Sequence, residues 1–326
     1  MDSNSLLPER ATFETEIQVP ASLVASAKQY AKNSRADSTT RVYQADWLRF
    51  TVWCAEAHLS PLPVAAETLV LYLTHRADLG RRPSVLEREM ASLSVAHRLA
   101  GYLLPRHDPL VREVIAGIRR SKKVAPKQAL PLLPPDLRVI CAQLPDTLAG
   151  ARDRAILLMG FAGAFRGSEI GNLLISNVTF SDDGATVLLG SSKTDQEGRG
   201  RPVGLPWGTD PAFCPVRAVK SWLAASHLKR GFLFRCIDRW GVLRLQKLGG
   251  EAISLIVKTR AEEAGLDAEK ISSHSLRAGL ATAAARAGKS MTAIQRQTGH
   301  KSIAMVARYV RDGTLFTDNA ASGIGL

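Results

Sequence analysis

Residues 271–310 read ISSHSLRAGLATAAARAGKSMTAIQRQTGHKSIAMVARYV. Ser272 or Ser273 can cap a helix that begins at His274, which sets His274 and Arg277 three apart on one face near its positive end. Backbone N–H groups and the helix dipole favour a phosphate there. An Ala-rich run carries this helix to Gly288. A second helix begins after Ser290 or Thr292, with Thr292 and Gln295 able to form a capping box, and stops at Gly299. His300 then falls on a turn, and Ser302 can cap a last helix whose final turn carries Tyr309. An arginine, two histidines and a tyrosine are gathered within three short helices. The other four tyrosines, Tyr30, Tyr43, Tyr72 and Tyr102, all lie in the first third of the chain, so Tyr309 is the one phenol of the C-terminal half.

The chain around this stretch has 326 residues, 45% of them hydrophobic, enough for a sizeable core in two domains. Lys and Arg number 43 against 30 Asp and Glu, a formal charge of +13, which favours a polyanionic partner and nucleic acid first. The four cysteines, Cys54, Cys141, Cys214 and Cys236, form no C-x-x-C pair. Neither a zinc site nor a disulfide framework is indicated, and reduced thiols in a cytoplasmic protein are expected. The N-terminal MDSNSLLPER lacks a basic segment followed by an apolar one, and the longest apolar run, AILLMGFAGAF from Ala155, is too short to span a bilayer. That run reads as a buried helix.

From the N-terminus, residues 1–20 read as a loosely held tail. Helical patterns follow over residues 21–120, with no strand pattern. In TRVYQADWLRFTVWCAEAH, Val42, Trp47, Phe50, Val52 and Trp53 are spaced for a helix face in a core. This half also carries a basic set: Arg81, Arg82, Arg88, Arg98, Arg119, Arg120, Lys122 and Lys123. Residues 121–135, within SKKVAPKQALPLLPPD, are dense in Pro and Lys without apolar period and read as a linker. Residues 136–326 resume with helices, and Gly163 and Gly167 around Arg166 indicate a close backbone approach. NVTF, TVLLG and RPVGL then alternate like strands, with DDG and DQEGRG as turns and Lys193 at the start of the second hairpin. Gly190-Ser-Ser-Lys193-Thr194 lacks the glycine spacing of a phosphate-binding loop, so nucleotide binding is not expected.

Taken in order, Arg166-Gly-Ser-Glu169, Lys193, His274-x-x-Arg277, Gly299-His300 and Tyr309 resemble the catalytic pattern of the tyrosine recombinases, the phage integrase, Cre and Xer family. Every position is filled, and only Gly167 departs from it, standing where a bulkier apolar residue is usual. The resemblance implies a mainly α protein, with a helical core-binding domain followed by an α+β catalytic domain bearing a small antiparallel sheet. It implies Tyr309 as nucleophile, Arg166 and Arg277 as phosphate clamps, and Lys193 as general acid. His274 would exchange a proton with Tyr309, His300 would donate to a phosphate oxygen, and Glu169 would orient the basic residues. The implied partners are a double-stranded DNA recombination site and a homotetramer on two such sites, with no membrane. No cofactor or metal is called for, and the basic set of the first half would contact DNA. The two rival readings are a type IB topoisomerase and a DNA-binding regulator that has lost cleavage.

Overall fold

The computed structural model describes residues 37–122, 129–190 and 200–314, together with Ser22, Ser26 and Gln29. The tail, most of the first expected helix, Lys123, Lys193 and the residues after 314 lie outside that description. The chain divides into two compact units, Met1–Pro126 and Lys127–Leu326.

The first unit consists of α1 (Asp37–Glu56), α2 (Ala66–Asp78), α3 (Pro83–Leu99) and α4 (Pro109–Lys122). Trp47, Phe50 and Cys54 face inward from α1, Leu69, Tyr72 and Leu73 from α2, and Leu86, Met90 and Leu93 from α3, each at helical spacing. Val42 and Val52, expected in this core, are exposed instead. The spacing allows only one face of α1 inward, and Trp47 and Phe50 define it. Buried Glu89 accepts two bonds from Arg76, at 2.7 and 3.1 Å, and buried Asp46 accepts from Ser92 at 2.8 Å and pairs with Arg88.

In the second unit α5 (Pro134–Ala142) and α6 (Leu148–Ala162) precede a short α7 (Gly167–Asn172). The expected linker is shorter than read. Ser121 and Lys122 finish α4, while Leu130 and Leu132 hydrogen-bond to the backbone of Lys270 and Ser275 in the second unit. Pro and Lys density hid both ends, since Leu132 contributes a single apolar side chain to the core. α6 is the central helix, its Ile156, Leu157 and Met159 fully buried. A meander of β1 (Val178–Ser181), β2 (Gly184–Leu189) and β3 (Arg201–Pro206) follows, antiparallel in the order β1-β2-β3. Ala185, Val187 and Leu189 alternate inward opposite Leu205, Val203 and Arg201. α8 (Pro215–Ser226) lays Val219 and Trp222 on α6, and the Trp222 indole donates to Leu233 O at 2.8 Å.

A second hairpin, β4 (Arg235–Ile237) with β5 (Leu243–Lys247), escaped the sequence reading. Its strands are three and five residues long and largely solvent-facing, so they carry no apolar alternation. The chain then runs through α9 (Gly250–Glu263), α10 (Ser273–Arg286), α11 (Met291–Thr298) and α12 (Ile303–Thr314). Among the described residues no helix is long and apolar enough to cross a membrane.

Candidate active site

The site begins where α6 ends. After Gly163 the chain turns through Ala164, which adopts φ +49°, and reaches Arg166 at the N-terminus of α7. Gly167 has no room for a side chain: a Cβ there would meet Ser273 Oγ at 2.6 Å and Gly250 O at 3.0 Å. This close approach brings the starts of α9 and α10 against Arg166. Glu169 holds Arg166 twice, accepting from its backbone N–H at 2.8 Å and from Nη1 at 2.5 Å.

Of the two candidate caps for α10, Ser272 is used. Its hydroxyl accepts from His274 N at 3.2 Å, and the helix starts at Ser273. His274 and Arg277 share one side of this first turn at different depths. His274 faces solvent, whereas Arg277 is 1% exposed, donating from Nη1 to Ala164 O at 2.7 Å while its buried Nη2 has no partner. Burial, then the neighbouring charge of Arg166, pushes the Arg277 guanidinium down to about 10.

α11 is capped by Ser290, which accepts from Ala293 N at 3.2 Å, with Thr292 inside the helix. It ends at Gly299, φ +64°, and the left-handed turn delivers His300 to the site. The His300 ring is pinned, Nδ1 lying 2.7 Å from Thr298 Oγ1. The Thr298 hydroxyl donates its one proton to Ile294 O, also at 2.7 Å. With that proton on Ile294 O, Nδ1 carries the ring proton and Nε2 of the neutral imidazole is a bare acceptor; with it turned to Nδ1, the two ring nitrogens exchange roles. Burial and the charge of Arg277, followed by Arg166, His274 and Arg201, lower His300 to about 4.

α12 docks by Val306, fully buried against Ala281, Ala285 and Ile294. That contact places Tyr309 with its hydroxyl 3.3 Å from His274 Nε2 and its ring 5.6 Å from the His300 ring. The hydroxyl contact is long for a hydrogen bond, as is common for catalytic pairs before substrate arrives. His274 is lowered by desolvation, then by Arg277 and Arg166. The arrangement is a phenol beside an imidazole, facing two guanidinium groups of which Arg166 is paired with Glu169.

Residues 132–314 match the phage integrase family. The chain is 37% identical over 299 residues to the integrase/recombinase xerD homolog of Selenomonas ruminantium, covering 90% of this chain and 87% of that protein. The chain belongs to the phage integrase family, the tyrosine recombinases. It is also 23% identical over 282 residues to recombinase Cre of Escherichia phage P1, covering 81% and 80% of the two chains. Its fold matches that of the XerH site-specific recombinase bound to difH substrate, with TM-score 0.64, 19% identity and coverage of 91% and 82%.

In this recombinase six of the seven expected site residues, Arg166, Glu169, His274, Arg277, His300 and Tyr309, fall around one spot, and Lys193 lies outside the described residues. The basic set of the first unit is divided. Arg88 pairs with buried Asp46 while 39% of its side chain stays exposed, Arg119 pairs with Glu87 at 2.6 Å, and Lys122 donates to Ala77 O at 2.6 Å. Arg81, Arg98 and Arg120 face solvent, Arg82 is half-buried, and Lys123 is not described. Sequence reasoning missed Arg201 and Thr298, which line the same spot. Arg201 was one cation among many, and Thr298 declares its role only through the His300 ring.

Proposed function

We infer that the protein is a site-specific tyrosine recombinase that cuts and rejoins double-stranded DNA through a 3′-phosphotyrosyl intermediate, exchanging strands between two sites. One observation carries the assignment of residues. Tyr309 and a neutral imidazole face two guanidinium groups, of which Arg277 keeps a buried donor free. A phosphodiester supplies the missing anion.

In the reaction Tyr309 Oη bonds to phosphorus, its proton passes to His274 Nε2, and the bond to O5′ breaks. Lys193 gives a proton to the leaving O5′, and the 5′ hydroxyl of a partner strand reverses each step. Arg166 and Arg277 bind the non-bridging oxygens, where a planar fork gives two donors and keeps its charge. Glu169 holds Arg166 in place. Removing one such donor costs roughly 10²–10³ in rate.

For His300 to donate to the phosphate, Nε2 needs a proton, and two routes differ in cost. Protonating a ring whose pKa is about 4 costs about 4 kcal/mol at pH 7. Turning the Thr298 hydroxyl from Ile294 O to Nδ1 moves the ring proton to Nε2 and gives up one hydrogen bond, about 1 kcal/mol. The second route wins, so Thr298 sets the tautomer of His300.

Exchange between two duplexes breaks four strands, and each chain supplies one Tyr309, so the working assembly is a tetramer on two DNA sites. Arg81, Arg82, Arg120 and Lys123 serve DNA binding. The enzyme works in the cytoplasm, on the nucleoid when bound to DNA.

The test uses a nicked duplex that sheds a short strand after cleavage. The wild type becomes trapped as an adduct between Tyr309 and a 3′ phosphate, releasing a 5′ hydroxyl. Tyr309→Phe keeps its DNA affinity, which rests on many phosphate contacts, and forms no adduct. An adduct on another residue or on a 5′ phosphate overturns the mechanism. No adduct at all points to a regulator, and an adduct without exchange between two marked sites to a topoisomerase.

A further inference from the structure

β3 opens with Arg201, whose side chain reaches the end of α11. Nη1 donates to the carbonyls of Arg296 and Gln297, both at 2.9 Å. These are among the last carbonyls of the helix, unpaired within it and at the negative end of its dipole. The next turn is Gly299, where a Cβ would come within 2.8 Å of Arg201 Nε. Glycine is thus required there both by the positive φ and by the guanidinium lying against it. Gln297 ties the same turn to β3 and α6, donating from Nε2 to Gly204 O at 3.0 Å and Ala162 O at 2.7 Å.

The Gly299 turn satisfies one end carbonyl, its N–H bonding Gln295 O at 2.7 Å, and Arg201 takes the next two. Arg201 brings costs of its own. Its Nη2 is buried without a partner. Burial lowers the guanidinium from its ordinary range, Glu169 acting upward and Arg166 downward. A cation with one donor left unpaired, held against the turn that carries His300, is placed to act on that turn.

We propose that Arg201 is a positioning residue for strand cleavage: clamping the end of α11, it fixes the turn of Gly299 and His300 and so aims the His300 ring at the scissile phosphate. The proposal rests on the recombinase reading above. Arg201 acts through His300 and does not itself touch the substrate.

A double-mutant cycle on adduct formation tests it, with Arg201→Gln and Arg201→Lys each made in the wild type and in a His300→Ala background. Lysine keeps the charge on a side chain one bond shorter, so its nitrogen falls short of the place from which Nη1 reaches both carbonyls. Each substitution should slow cleavage about tenfold or more alone and less than about twofold when His300 is already alanine. Melting curves and DNA affinity should stay close to those of the parent. Equal losses in both backgrounds overturn the proposal, because a residue that merely holds the fold costs the same whether or not His300 is present. Arg201→Lys decides the matter if Arg201→Gln fails to fold. A wild type that forms no Tyr309 adduct overturns the recombinase reading itself, and equal losses beside a normal wild-type adduct overturn only the role of Arg201.

Discussion

Arg277→Met separates what the fold needs from what the chemistry needs. Arg277 is 1% exposed and its guanidinium falls to about 10 from an ordinary value of roughly 12.5, and each tenfold change in proton affinity is worth about 1.4 kcal/mol. The folded state therefore bears about 3 kcal/mol of penalty on this cation. Methionine removes that penalty and keeps most of the volume, but leaves Ala164 O without its 2.7 Å donor, a loss of about 1.5–3 kcal/mol. The two nearly cancel, leaving a net change between zero and a gain of about 1.5 kcal/mol, or up to about 6 °C in melting temperature for a unit of this size. Cleavage should fall by about 10² or more. Paired chemical denaturation and nicked-substrate assays read both quantities. Sulfate should raise the melting temperature of the wild type more than that of the variant, since the free Nη2 is what binds the anion. A variant destabilised by about 3–5 kcal/mol, the cost of breaking a satisfied buried pair, refutes the reasoning.

The pH dependence has a defined sign. His274 must be neutral to accept the Tyr309 proton, and its pKa is lowered, so the cleavage rate should stay level from pH 8 down through about 6.5 and fall only below. Arg166→Gln removes one lowering charge and should move that acid limb upward, while a wild-type inflection at or above the ordinary imidazole value refutes the assignment. Lys193→Ala, assayed in EDTA throughout, should slow cleavage of ordinary DNA far more than cleavage of a substrate with a 5′ thiol leaving group, which needs no acid. Equal losses on the two substrates remove Lys193 from that role, and activity that returns only with Mg²⁺ contradicts a site whose positive charge comes from side chains.

The helices and the three-stranded sheet were legible because their burial is periodic. Leu86, Met90 and Leu93 repeat at helical spacing, and Val203 and Leu205 alternate across β3. Glycines and serines marked the ends of α10 and α11 to within two residues, although which serine caps α10 depends on where its hydroxyl points. β4 and β5 stayed hidden because a hairpin mostly in water leaves no apolar trace. Arg88 shows a related limit. A basic residue on a helix looks alike whether it faces DNA or a buried carboxylate forty-two positions away in sequence, as Asp46 is. In the site, residue order identified the six side chains that meet, but depth was invisible. His274 and Arg277 are three apart in the chain, one at the open mouth of the site and the other sealed.

That difference in depth divides the site between two cores of unequal size. Arg166 and Arg277 are fixed by the main core, through α6, the Ala164 turn and the close approach of Gly167 to α9 and α10. Tyr309 is carried by α12, which docks by fully buried Val306 with partly buried Tyr309 and Val310 on the small cluster of Ala281, Ala285 and Ile294, and each such side chain contributes at most about 1.5–3 kcal/mol. An opening of that size is small beside unfolding of the unit, so the nucleophile can leave its place while the phosphate-binding groups keep theirs. A protein built in this way should hold DNA without cutting it whenever α12 is displaced, a state in which Tyr309 forms no adduct while DNA affinity is kept. Cleavage then depends on the docking of one short helix rather than on assembly of the whole site. Strand exchange needs such a separation, since a chain that has bound its site must be able to wait for a partner strand before it breaks the bond.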